Sequence, residues 1–273
     1  GQLNDLEMMY ENYIEVVISN KVYLKNVKIS LTRTISSDSE NENNQLLKTV
    51  LLNKVQQSNN QTISELLIWL FVQEKNFEAA LDQEKAMDQK WGLNQKRVFD
   101  LGLICRKNKA FDMALQCYDY ITEVGATSIY FLDSQLAILA VKKELLAASS
   151  TSKKENWLDL EYDFIENLSK LGKTSYTILL IRDLAIIQAF RLHDVEKAAG
   201  TIKEALSLSS ASQEDLAECK LVYADILLLQ NEIWDAILTY SQVDKAYKHD
   251  VLGHEAKFRR AKISYYQGDF NWA

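Results

Sequence analysis

The sequence has no proline and only eight glycines among its 273 residues. Turn-rich β-architectures need both residue types to punctuate many short strands, so their scarcity excludes such folds and favours helices. Cysteine is scarce too. Cys105, Cys117 and Cys219 are an odd number with no short-spaced pair, which is neither a disulfide framework nor a zinc site. Apolar residues make up 47% of the chain, yet no run of 18 occurs, so no membrane-crossing helix is expected. Positive charge is in deficit: the net charge is −7 and the pI near 5.2. An acidic surface repels phosphate backbones, so nucleic acid is not an expected partner. The start, Gly1-Gln2-Leu3-Asn4-Asp5, has neither the basic region nor the apolar stretch of a secretory signal. Gly1 reads as a tag-cleavage scar and Asn271-Trp272-Ala273 stops inside a helical pattern. The chain is therefore expected to be a piece of a longer protein.

What is present is a repeat. A small polar residue, a bulky apolar residue, two variable residues and an alanine recur as Asn76-Phe77-Glu78-Ala79-Ala80. Ala110-Phe111-Asp112-Met113-Ala114 follows one 34-residue period later. The pattern returns as Asp194-Val195-Glu196-Lys197-Ala198, Glu232-Ile233-Trp234-Asp235-Ala236 and Asp269-Phe270-Asn271-Trp272-Ala273. Twelve residues before each final alanine stand Ile68, Gly102, Ile186, Ala224 and Ala261. Four residues after come Tyr118, Ile202 and Tyr240, with Glu84 the exception. Small residues let two helix axes approach, and a large one wedges beside the crossing. This spacing is the tetratricopeptide pattern of antiparallel helix pairs. The expected fold is all-α, a right-handed α-α superhelix, with no proline at the usual end of each repeat.

Repeats are drawn at 61–94, 95–128, 179–212, 217–250 and from 254 onward, the last one truncated. Residues 61–128 thus hold two repeats and 179–273 the later ones. Residues 129–178 read as a degenerate repeat, with helices at Ile129–Ala148 and Trp157–Leu171 and an inserted polar loop at 149–156. Residues 1–60 read as a helical pair, a degenerate repeat or a cap. That pair is one long helix from Leu3 to Ile29, a polar loop over Ser36–Asn44 and a second helix over Gln45–Gln57.

Several runs carry a resemblance. Glu65-Leu66-Leu67-Ile68-Trp69-Leu70, Arg97-Val98-Phe99-Asp100-Leu101, Ala217-Glu218-Cys219-Lys220-Leu221, Tyr240-Ser241-Gln242-Val243-Asp244-Lys245 and Gly253-His254-Glu255-Ala256-Lys257-Phe258-Arg259 are similar to a tetratricopeptide-repeat family of Bacteroides-type bacteria. The resemblance runs along nearly the whole chain. It implies a helical solenoid within a longer exported protein, and hence the periplasm or cell envelope, with the cytoplasm as the alternative. It brings no catalytic residues.

No chemistry is expected from the residues themselves. His193, His249 and His254 lie at turns, and no metalloprotease, redox or nucleophile-elbow motif occurs. Neither a cofactor nor a metal is expected. Paired carboxylates such as Asp159, Glu161 and Asp163 read as a solvated helix face. Cys105 and Cys117 fall on the two helices of one repeat and would face each other across the pair.

The expected function is non-catalytic protein or peptide binding on the concave face formed by the first helix of each repeat. Its candidate residues are Trp69, Phe99, Leu103, Arg106, Phe190, Asp225, Phe258, Arg259 and Tyr265, aromatic and arginine side chains being favoured anchors. The chaperone-tail clamp needs lysine and asparagine where this chain has Glu65, Trp69, Asp100, Asp183 and Leu184, so that use is excluded. The alternative is a glycan- or small-ligand-binding envelope lipoprotein, which needs aromatic platforms on loops; only Trp157 stands near one. Tyr265, Tyr266, Phe270 and Trp272 at the truncated end are expected to promote weak self-association.

Overall fold

The computed structural model describes the backbone of residues 2–268 and the side chains of residues 5–268. Among the described residues there are helices and no strands. In chain order these are α1 (Gln2–Ser19), α2 (Leu24–Leu31), α3 (Glu42–Gln57), α4 (Gln61–Gln73), α5 (Phe77–Trp91), α6 (Lys96–Lys107) and α7 (Phe111–Val124). Then follow α8 (Phe131–Ala148), α9 (Lys154–Leu171), α10 (Ile178–Phe190), α11 (Val195–Leu206), α12 (Gln213–Leu229), α13 (Ile233–Ala246) and α14 (Val251–Tyr266). The chain forms two compact units, Gly1–Val141 and Lys142–Ala273, and the division falls within α8. The fifth recurrence of the repeat segment, at 269–273, lies outside the described residues.

The repeat turns show how the sequence ends one helix and starts the next without proline. Lys75, Lys109, His193 and Asn231 each stand immediately before a recurring segment, and all four have φ between 57° and 65°. A left-handed residue stops a helix by turning the chain so that late carbonyls can still be satisfied. The N–H groups of Asn76, Ala110 and Glu232 reach back to the carbonyls of Phe71, Cys105 and Leu227, each at 2.9 Å. The Asp194 N–H reaches Gln188 at the same distance. Asn76 and Asp194 also cap the following helix through their side chains. His193 is thus a turn former.

The helix crossings follow the small-residue rule. Ala80, Ala114, Ala198 and Ala236 are fully buried, and so are Tyr118 and Tyr240, one helical turn further along α7 and α13. A Cβ on Gly102 would lie 2.6 Å from the Tyr118 ring, so only glycine lets α6 and α7 approach around that tyrosine. A Cβ on Gly253 would lie 1.9 Å from the Tyr247 carbonyl oxygen, which holds α14 against the end of α13.

The N-terminal region departs from the single long helix expected. Asn20 adopts an extended backbone and its side chain accepts a hydrogen bond from Val22 N–H at 3.0 Å. That local alternative to helical bonding breaks the run into α1, a short 3-10 turn at Lys21–Tyr23, and α2. The second helix also begins earlier than expected, at Glu42, because Asn41 caps it. Asn44 is then a fully buried helical residue rather than part of the loop. Its amide donates to the carbonyls of Ser36 and Asp38 and to Glu74, and accepts from Ser36 N–H, pinning the preceding loop to α4's C-terminal cap. The loop placed at 149–156 is likewise shorter. Asn156 accepts from Lys153 N–H at 3.0 Å, so α9 starts at Lys154.

Candidate functional site

In the first unit, α4 is capped by Asn60 and buries Leu66, Leu67 and Leu70. That burial turns Glu65, Ile68, Trp69 and Val72 towards a cavity of about 220 Å³. Across it stand Arg97, Asp100, Leu101 and Ile104 of α6, with Glu84 from α5 and Lys28 from α2. A cavity of that size is smaller than those that enclose drug-sized molecules and suits a single large side chain. Trp69 and Lys28 also border a second hollow on the α2 side, with Leu24, Ile29 and Thr32.

Charge is organised around Arg97. Its Nε and Nη2 donate to the two oxygens of Glu84 at 2.7 and 2.9 Å, and its Nη1 lies 3.3 Å from Glu65. Lys21 adds a 2.8 Å bond to the same Glu65 oxygen. Both carboxylates are buried, which is costly for a charge unless it is paired. Burial raises the Glu84 pKa, and the Arg97 bonds pull it back. Burial opposes the Arg97 charge as well, but Glu84 and Glu65 outweigh it and its pKa is raised. Asp100 is held separately by Lys96 at 2.8 Å on the exposed side. Lys28 differs from all of these. Burial lowers its pKa, with Glu65 opposing, yet among the described residues its ammonium forms no ion pair or hydrogen bond.

The candidates read from the sequence fall into three groups. Trp69 lines the cavity just described. Phe99 does not stand free: its ring lies 5.1 Å from Tyr130 and 5.5 Å from Tyr118, half-buried against the first unit's core. Leu103 is exposed and Arg106 half-buried on α6. In the second unit, Asp225 accepts from the Tyr240 hydroxyl and from Arg259, which also bonds Glu255 at 2.7 Å. Asp225 and Arg259 therefore pin α12, α13 and α14 together. Burial raises the Asp225 pKa, and Tyr240 and Arg259 lower it. Phe190, at the end of α10, is partly exposed, whereas Phe258 and Tyr265 are 60% exposed on α14. Tyr266 beside them is more exposed still; Phe270 and Trp272 lie outside the described residues.

Lys28, Glu84 and Arg97 were not among the sequence candidates. Glu84 carried a signal, as the acid in a place that otherwise takes a large residue. Lys28 carried none, because it lies outside the repeats. Trp234, on α13, is 82% exposed and was read only as part of the repeat segment. Trp157, the one aromatic near a long loop, is buried with the Arg191 guanidinium 4.8 Å from its ring, and so offers no platform. Cys105 and Cys117 do meet across α6 and α7 as free, buried thiols. Asp250 caps α14 and Glu255 pairs with Arg259, so both acids beside the turn histidines are engaged. A cavity of about 360 Å³ in the second unit is lined by Leu168, Ile181, Leu184, Gln188 and Thr201. Its buried amide is already bonded to Glu161 and Thr201.

No known protein family's sequence profile and no curated protein sequence matches the chain. Solved structures do. A thermophilic TPR protein of Thermus thermophilus superposes with a TM-score of 0.51 at 16% identity, over 73% of this chain and 97% of that one. A tetratricopeptide repeat protein of Parabacteroides merdae gives a TM-score of 0.46 at 18% identity, over 94% and 98%. With its recurring helix pairs and the first of these likenesses, the chain has the tetratricopeptide-repeat fold.

Proposed function

We propose that this chain is a non-catalytic scaffold that binds a protein or peptide on the first helices of its repeats. The observation that carries the reading is the cavity between α4 and α6, where Trp69 stands over an apolar wall of Ile68, Val72, Leu101 and Ile104. A half-buried tryptophan beside a side-chain-sized hollow is the kind of anchor on which peptide affinity concentrates. Phe258 and Tyr265 are the exposed counterparts on α14. The sequence resemblance supports the cell envelope as the place where the partner is met.

Affinity capture from envelope extracts tests this, using the native chain beside Trp69→Ala and Phe258→Ala. A protein held by the native chain and lost from Trp69→Ala supports the reading. Identical capture by all three, or none by any, counts against it.

A further inference from the structure

Once the cations that pair with its acids from outside the lining, Lys21 and Lys96, are counted, the cavity around Trp69 has one positive charge more than its carboxylates neutralise. Three cations face it or its buried acids: Lys21, Lys28 and Arg97. Two buried carboxylates, Glu65 and Glu84, answer them. The third acid on the lining, Asp100, already has Lys96. Arg97 spends all its directions on Glu84 and Glu65, and Lys21 is spent on Glu65. The excess positive charge is therefore Lys28, on a protein whose net charge is −7. A cation with no ion pair or hydrogen bond, on the lining of a hollow that also has an apolar wall, is complementary to a ligand with a negative group beside an apolar one.

We infer that the occupant of this cavity is a segment of a partner protein in which an Asp or Glu adjoins a large apolar residue, the carboxylate pairing with Lys28 and the apolar side chain packing against Trp69. The inference rests on the peptide-binding reading above and names the chemistry of its ligand. Lys28 comes from α2, outside the repeats, so the N-terminal helices supply specificity as well as an end to the stack. The buried acids explain the form of the site. They engage the Arg97 guanidinium and leave Lys28 as the lining cation without an ion pair among the described residues, so one carboxylate is read and a second nearby one is not rewarded.

Two matched sets of immobilised twelve-residue peptides test this. One set has Asp or Glu beside Leu, Ile, Phe or Trp; the other has Asn or Gln in the same places. The native chain is expected to bind members of the acidic set about tenfold more tightly than their amide counterparts. Lys28→Met should erase that difference while keeping binding to the amide set, and Lys28→Arg should largely restore it. Trp69→Ala should weaken both sets. Equal binding of both sets by the native chain, or a preference that survives Lys28→Met, overturns the inference and leaves peptide binding standing. Absence of binding to either set overturns both. Circular dichroism of each variant, unchanged from native, shows that its effect is not unfolding.

Discussion

The first helices of successive repeats sit differently in the two units. In the first unit, α4 and α6 stand apart, and the interval is the cavity spanned by Arg97 and Glu65. In the second, α10 lies beside α12 and α12 beside α14. The side chains differ in size: Ile68, Trp69, Leu101 and Ile104 line the open interval, whereas α12 and α14 bury the small residues Ala217, Cys219, Ala224 and Ala256. The ionic links differ in step. Across the open interval, Glu84 of α5 binds Arg97 of the next helix. Across the closed one, Tyr240 of α13 binds Asp225, which in turn binds Arg259. The same place in the repeat holds Glu84 beside the open interval, Ile202 between α10 and α12, and Tyr240 between α12 and α14.

The largest effect is expected from breaking the open side. Arg97→Leu strands the buried Glu84 carboxylate and leaves Glu65 to Lys21, and should cost about 3–5 kcal/mol in urea unfolding. A loss below about 1 kcal/mol would mean that Glu84 and Glu65 find solvent readily. On the closed side, Gly253→Ala forces a methyl into the Tyr247 carbonyl. It should cost up to about 3 kcal/mol, read from the same curves. Tyr240→Phe removes one hydroxyl but leaves Asp225 with Arg259, so about 1 kcal/mol is expected.

A smaller effect concerns pH. Burial raises the folded-state pKa of Glu84 above the ordinary value of 4.5. The folded chain therefore holds that proton more tightly than the unfolded chain. Its contribution favours folding at low pH and is lost as pH rises through the raised folded-state value. Glu84→Gln should flatten this part of the stability profile above pH 4.5, as measured by thermal unfolding across the acid range. Asp225→Asn should flatten the corresponding part above 3.8, since burial raises that pKa too. Smallest of all, Lys96→Ala removes a solvent-accessible pair with Asp100 and should leave the unfolding midpoint nearly unchanged.

The repeat was legible because its signal is local. A helix turn, a small residue at a crossing and a large one beside it recur at fixed spacing, and each is readable without its partners. The break at Asn20 and the early start of α9 set by Asn156 were missed because an asparagine can bond the backbone or point to water, and the spacing does not say which. Among the candidate residues, Trp69 was found as an aromatic at a groove position, but the same rule picked Phe99, which Tyr130 and Tyr118 half-bury. Glu84 showed only as an irregularity until Arg97 was seen against it.

What the sequence determined alone was the helical class and the recurring segments that follow the left-handed turn residues, since propensity and periodicity act over a few neighbouring residues. Tertiary structure decided which first helices close on each other, which charges are satisfied across them and that Lys28 of α2 is left over beside Trp69. These depend on side chains brought together from distant parts of the chain, where size and the cost of burying a charge, rather than spacing, choose the outcome.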